Sequence, residues 1–114
     1  RYSSAAAASS FIDGHTASSF LAWAGSQDFT GPINAACDGG MSAFDLLHRA
    51  GRALDEQVSA IPAAKPAPAG ELSPFDYPHP LMMDTSRAAR LGYRFGHIDE
   101  WADDIIRQHD LAFV

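Results

Sequence analysis

Apolar residues recur at helical spacing in three stretches of the chain, and the last is the most regular. Ile98, Trp101, Ala102, Ile105 and Ile106 follow the i, i+3, i+4, i+7, i+8 pattern of one helix face. Asp99 and Glu100 fall in the first turn of that helix and Arg107 near its end, which complements its dipole. Upstream, Ser42 is placed to cap a helix with Phe44, Leu47, Ala50 and Leu54 on one face. Ala43 and Leu46 widen that face, so it packs against more than one neighbour. Gly51 weakens this helix by roughly 1 kcal/mol relative to Ala and permits a close helix contact. The first helical stretch starts from a capping region, Asp13-Gly14-His15-Thr16. It places Ala17, Phe20, Leu21 and Ala24 together and stops at Gly25.

A fourth, shorter unit runs from Asp84 to Tyr93. Asp84 or Thr85 can accept from a first-turn amide, and Gly92 occupies the left-handed C′ position. Leu91 and Tyr93 are expected to pin that end to a core. Three apolar runs, Phe11-Ile12, Ile33–Cys37 and Val58–Ile61, are short enough only for strands. The second lacks polar alternation, which suits a buried parallel strand, and Pro62 stops the third. From Ala63 to Pro80 the chain is broken by Pro66, Pro68, Gly70, Pro74, Pro78 and Pro80. Irregular stretches of that length are binding or mobile loops, and Phe75 and Tyr77 could anchor this one. The order is strand–helix–strand–helix–strand, a long loop, then two helices, an α/β alternation. Strands this short do not make an independently covered sheet, so the unit is expected to be part of something larger.

The length of 114 residues allows one domain, with Arg1 to Ser10 as an Ala/Ser-rich linker and 11–114 as the folded part. A net charge of −6 with scattered basic residues argues against a nucleic-acid partner. No apolar run approaches the roughly 20 residues of a membrane span, so no membrane partner is expected. The N-terminal residues carry no basic and apolar regions of a signal peptide. A lone Cys37 allows no internal disulfide and fits a reducing, cytoplasmic setting. The chain opens at Arg1-Tyr2 without an initiator Met, as processing, an artificial boundary or a piece of a longer protein would give.

Chemistry-bearing motifs are incomplete. Gly39-Gly40 is followed neither by a spaced third glycine nor by Lys-Ser/Thr. His15 beside Asp13 suggests acid–base or metal chemistry, but its place at a helix start favours capping. The five histidines form no i, i+4 pair for zinc, and no metal site is expected. Cys37 ends an apolar run as a small buried hydrophobe would. Asp103-Asp104 suits a solvated helix face. Arg87 and Arg90, on one side of a short helix, suit an anionic ligand, surface charge, or pairing with the acidic last helix. No complete catalytic apparatus is visible.

Taken in order, four segments resemble the C-terminal part of the extended short-chain dehydrogenase/reductase family, the NAD-dependent epimerase/dehydratase group. Phe11-Ile12-Asp13-Gly14-His15-Thr16-Ala17 resembles F-I-h-V-x-D-x-A, and Gly31-Pro32-Ile33-Asn34-Ala35-Ala36 resembles G-x-Y-N-V. Ser42-Ala43-Phe44-Asp45-Leu46-Leu47 resembles the S-x-x-E-L helix start. The unit Asp84–Tyr93 resembles D-x-S-R/K-A-x-x-x-L-G-Y/W, the most specific of the four. The resemblance covers roughly residues 11 to 110.

The resemblance implies the C-terminal, substrate-binding segment of a Rossmann-type enzyme, with a few short strands, about four helices and no complete Rossmann sheet. Members of the family bind NAD or NADP through G-x-x-G-x-x-G and react through a Tyr-x-x-x-Lys pair. Neither occurs here, since Lys65, the only lysine, has Ile61 four residues before it. An N-terminal Rossmann domain of the same full-length protein is the implied partner, a small molecule the implied substrate. The chain alone is expected to hold no cofactor. Where nucleotide-sugar epimerases carry two diphosphate-binding arginines, this chain has Ser9-Ser10 and Tyr77-Pro78-His79-Pro80. A smaller or less charged substrate fits better. A substrate pocket is expected where the Pro-rich loop approaches the first helix, with Phe75, Tyr77 and His79 facing Asp13 and His15. The alternative is a non-catalytic, truncated α/β interaction module.

Overall fold

The computed structural model of the chain describes residues 6–59 and 75–111. Within them lie four α-helices: α1 (Gly14–Gly25), α2 (Ala43–Leu54), α3 (Ser86–Arg90) and α4 (Ala102–Leu111). A 3-10 turn at Ile98–Glu100 precedes α4. The result is a small, mixed helical protein with almost no strand.

Local chemistry explains where each helix starts and stops. The Asp13 carboxylate accepts from the Thr16 amide at 3.3 Å and so caps α1. At α2 the cap is reciprocal. The Asp45 amide donates to Ser42 Oγ at 3.0 Å, and the Ser42 amide donates to the Asp45 carboxylate at 3.0 Å. The helix ends at Asp55, whose φ of 53° is left-handed. α3 is shorter than the Asp84–Tyr93 unit suggests, but its stop is as expected. Gly92, at φ 104°, lets its own amide reach the Ala89 carbonyl and the Tyr93 amide reach that of Ala88. Tyr93 joins the core there, whereas Leu91, expected to do the same, is exposed.

Three expectations need correcting. The last helix does not begin at Ile98. His97 Nδ1 accepts from the Asp99 amide at 3.1 Å, tightening the first turn to 3-10, and α4 starts at Ala102. Gly51 admits no neighbouring helix. A Cβ there would lie 2.8 Å from Val58 Cγ2 and 3.1 Å from the Glu56 carbonyl, so it lets the chain fold back on α2. The strands at Phe11-Ile12 and Ile33–Cys37 do not form. Among the described residues only isolated bridges occur, Ser9 with Met41, Ser9 with Leu81, and Asp38 with His97. A ladder needs successive alternating bonds, and Phe11 supplies only one to Cys37, from the Cys37 amide to its carbonyl at 2.8 Å. Gly31-Pro32 and Asp38-Gly39-Gly40 turn the chain on either side of Ile33–Cys37 before more can form. Val58 and Ser59 have no regular structure, and Ala60 and Ile61 lie outside the described residues. So do residues 60–74 of the loop, while residues 75–80 are neither helix nor strand.

The stretch taken as a linker also enters the packed unit. Ala7 and Ser9 are buried, and Ser9 exchanges amide–carbonyl bonds with Met41 at 3.0 and 3.1 Å. Residues 1–5 lie outside the described residues. Side chains pack into two clusters. One gathers Cys37, Met41, Ile98 and Ala102 with Phe11, Leu46 and Trp101; the other gathers Phe20, Ala88 and Phe95 with Trp23 and Tyr93. Ile12 touches both, so the residue before the α1 cap joins the halves. Helix α2 lies on α4, and Arg49 pairs with Asp99 of the preceding 3-10 turn at 2.5 Å. Arg107 donates to the Ala53 carbonyl at 3.3 Å.

Candidate substrate cleft

The extended segment leading to Asp13 has one edge on Met41 and the other on Leu81. The Leu81 amide donates to the Ala8 carbonyl at 2.9 Å, and the Ser10 amide to the Leu81 carbonyl at 3.1 Å. Ser10 Oγ then accepts from the Met83 amide at 2.8 Å. These bonds hold residues 81–83 alongside residues 8–10 and open a cleft of about 430 Å³ beside them. Its apolar walls are Phe11, Ile12, Leu81, Met83 and the aromatic pair Phe75 and Tyr77. Its polar members, apart from the Tyr77 hydroxyl, are Ser9 and Ser10. Phe75 lies against Phe11 with ring centroids 5.5 Å apart.

Among the described residues that line this cleft there is no carboxylate, imidazole, ammonium or guanidinium. The arrangement suits binding of an apolar molecule and supplies no acid–base pair. Of the five residues expected at the site, Phe75 and Tyr77 line the cleft. Asp13, His15 and His79 do not: Asp13 is buried under α1, and His15 and His79 are exposed. Capping accounts for Asp13, because its carboxylate is taken up by the Thr16 amide at the start of α1 and by the Cys37 thiol. Ser10, Leu81 and Met83 line the cleft in addition to the expected residues. The available signal was Ser9-Ser10, standing where the resembling family places an arginine.

A second arrangement joins two of the motif segments. Arg87 of α3 donates to the Thr30 carbonyl at 2.6 Å and to the Pro32 carbonyl, and its guanidinium lies 5.6 Å from the Phe29 ring centre. Asn34 Nδ2 donates to the Asp84 carbonyl at 3.0 Å. Arg87 is thus committed to the loop at Gly31-Pro32, and Arg90 donates to Ser86 Oγ. The basic residue that does meet the acidic last helix is Arg49, which lies 3.7 Å from the Asp103 carboxylate.

Gly39 and Gly40 offer no opening for a cofactor phosphate. A Cβ on Gly39 would lie 2.6 Å from His97 Nε2, and one on Gly40 2.6 Å from Met82 Sδ. Their bare faces are filled by the protein itself, so the pair does not fit a dinucleotide cradle. Among the described residues no three His, Cys, Asp or Glu side chains converge as a metal site requires, and no helix is long and apolar enough to cross a membrane.

Three carboxylates are held below their usual range. At Asp13 burial opposes ionisation, but bonds from Thr16 and the Cys37 thiol outweigh it. Asp84 is held down by the amide and hydroxyl of Ser86, and Asp99 by the Arg49 guanidinium. Each binds its proton less readily folded than unfolded, so its contribution is complete above the ordinary carboxylate range, near pH ~4, and is lost as pH falls through the lower folded value. The urea midpoint is therefore expected to be flat above that range and to drop on acidification towards pH ~3. Asp13→Asn keeps the cap and should shallow the drop. A midpoint that rises on acidification contradicts this assignment.

Compared with protein-family models, curated proteins and solved structures, the chain matches none.

Proposed function

We propose that this chain is the substrate-side portion of an NAD(P)-dependent epimerase/reductase-like oxidoreductase and is not catalytically competent alone. The observation that carries the reading is the 430 Å³ cleft between the Phe11-Ile12 segment and the Phe75–Tyr77 aromatics, whose described lining residues carry no charge. It stands beside the segment resembling F-I-h-V-x-D-x-A and suits a small substrate of low charge. The meeting of resembling segments supports it further, since Asn34 and Arg87 tie Gly31–Asn34 to Asp84–Arg90. In this reading an N-terminal Rossmann domain of the full-length protein supplies NAD or NADP and the Tyr-x-x-x-Lys pair. Residues here position the substrate and exclude water around it.

Fluorescence titration with NADH and NADPH tests the division of labour. The 114-residue chain alone is expected to bind neither in the micromolar range. A polypeptide carrying it behind a glycine-rich Rossmann segment is expected to bind one of them there. Micromolar binding by the short chain, or none by the longer one, overturns the reading. A second reading, a non-catalytic interaction module, draws on the row of half-exposed Leu81, Met82 and Met83. It is favoured if the longer polypeptide binds no nucleotide.

A further inference from the structure

The chemistry of the cleft says more about its ligand than that it is small. Phe11 and Phe75 meet at 49° between ring planes and line the same space as Tyr77, so three aromatic rings border it. Such rings take up a flat, apolar body at little entropic cost. The described lining residues are equally selective, because none is charged and an anion among them would lose hydration and gain no charged partner. One polar handle remains. Ser10 Oγ accepts from the Met83 amide at 2.8 Å, while its own hydrogen has only a 3.9 Å contact to Met82 Sδ. That hydroxyl is free to donate to a stronger acceptor. Ser9 differs, since its hydroxyl is buried and turned to the Met41 carbonyl at 3.4 Å.

Resting on the reading of this cleft as the substrate side, we infer that it takes an uncharged aromatic compound bearing a carbonyl or similar acceptor, which Ser10 Oγ–H holds by a hydrogen bond. The ring system lies among Phe11, Phe75 and Tyr77, with Leu81 and Met83 completing the described apolar lining. The volume, about 430 Å³, falls within the ordinary range for small-molecule sites. Carboxylated or phosphorylated analogues of the same shape are rejected by their desolvation cost.

Two probes of nearly equal shape, methyl naphthyl ketone and naphthoate, isolate the charge. Amide NMR titration of the chain is expected to show the ketone shifting residues 8–12 and 81–83, with naphthoate about tenfold weaker or more. Ser10→Ala should weaken the ketone about threefold to tenfold. Because Ser10 also braces Met83, a second variant is needed whose fold is secure. Leu81→Ser alters a side chain that is 54% exposed, leaves the backbone pairing in place, and should weaken the ketone too. Equal affinity for the two probes, no ketone binding, or shifts confined to other residues would overturn the assignment. These outcomes are independent of the nucleotide titrations, which probe a site this chain does not contain.

Discussion

Phe20→Ala is expected to lower the stability of the chain by about 3–5 kcal/mol. Phe20 is 5% exposed and is the hub of the aromatic cluster. Its ring meets Tyr93 edge-on at 5.2 Å, Phe95 at 5.4 Å and Trp23 at 5.9 Å. Removing it leaves a cavity between Trp23 of α1 and the Tyr93 and Phe95 rings after α3, which can close only by shifting α1 towards that turn. Domains of this size are stable by only about 5–15 kcal/mol, so a large part of that margin is lost. Urea unfolding followed by the fluorescence of neighbouring Trp23 measures it. Leu21→Ala is the control: Leu21 is 68% exposed, and its truncation should stay within about 0.5 kcal/mol. Similar midpoints for the two variants would show that the cluster is not where the fold is held.

Gly39→Ala is expected to cost ~2–4 kcal/mol, although it adds a single methyl group. The backbone stands at φ 83°, a conformation that a side chain strains. The new Cβ would also lie 2.6 Å from His97 Nε2 and 3.2 Å from Ile98 Cγ1. The imidazole cannot simply swing aside, because its Nδ1 accepts from the Asp99 amide and forms the 3-10 turn. Ile98, 2% exposed, has nowhere to go. The damage therefore spreads to the Asp38–His97 bridge, where the Asp38 amide donates to the Gly96 carbonyl at 2.8 Å and the Ile98 amide to the Asp38 carbonyl at 3.0 Å. Thermal unfolding should show a fall of many degrees. Gly14→Ala, at a helix start with open space around it, should show almost none. Equal melting of Gly39→Ala and the parent chain would refute the packing role.

Short-range signals in the chain were dependable where the structure uses short-range physics. Ser42 starts α2, Asp13 starts α1, and Gly92 stops α3, because each choice needs only a side chain or a free φ within three or four residues. The Ser42–Asp45 reciprocity was within reach too, as an acidic residue three positions after a capping serine. Phe20 and Leu21 mark where such reading ends. Both fall on the expected apolar face of α1, yet one is buried in the aromatic cluster and the other faces water. Apolar residues surround much of that helix, so periodicity does not choose between neighbours, and only the position of Tyr93 and Phe95 does.

The cleft divides the same way. Phe75 and Tyr77 were legible as candidates from their isolation in a Pro-rich stretch, and both line it. That Ser10, Leu81 and Met83 join them, while Asp13 and His15 do not, depended on pairing across some seventy residues, with the Met83 amide meeting Ser10 Oγ. The short apolar runs gave the impression of strands for a related reason. Composition favours an extended backbone, but a ladder exists only if a partner lies alongside for several residues, and here each partner stays for a single bridge. By itself, then, the sequence determined the starts of α1 and α2 and the stop of α3, which depend on local hydrogen bonds and turn geometry. Only the tertiary structure decided which apolar side chains are core and which line the cleft, because that depends on contacts between segments far apart in the chain.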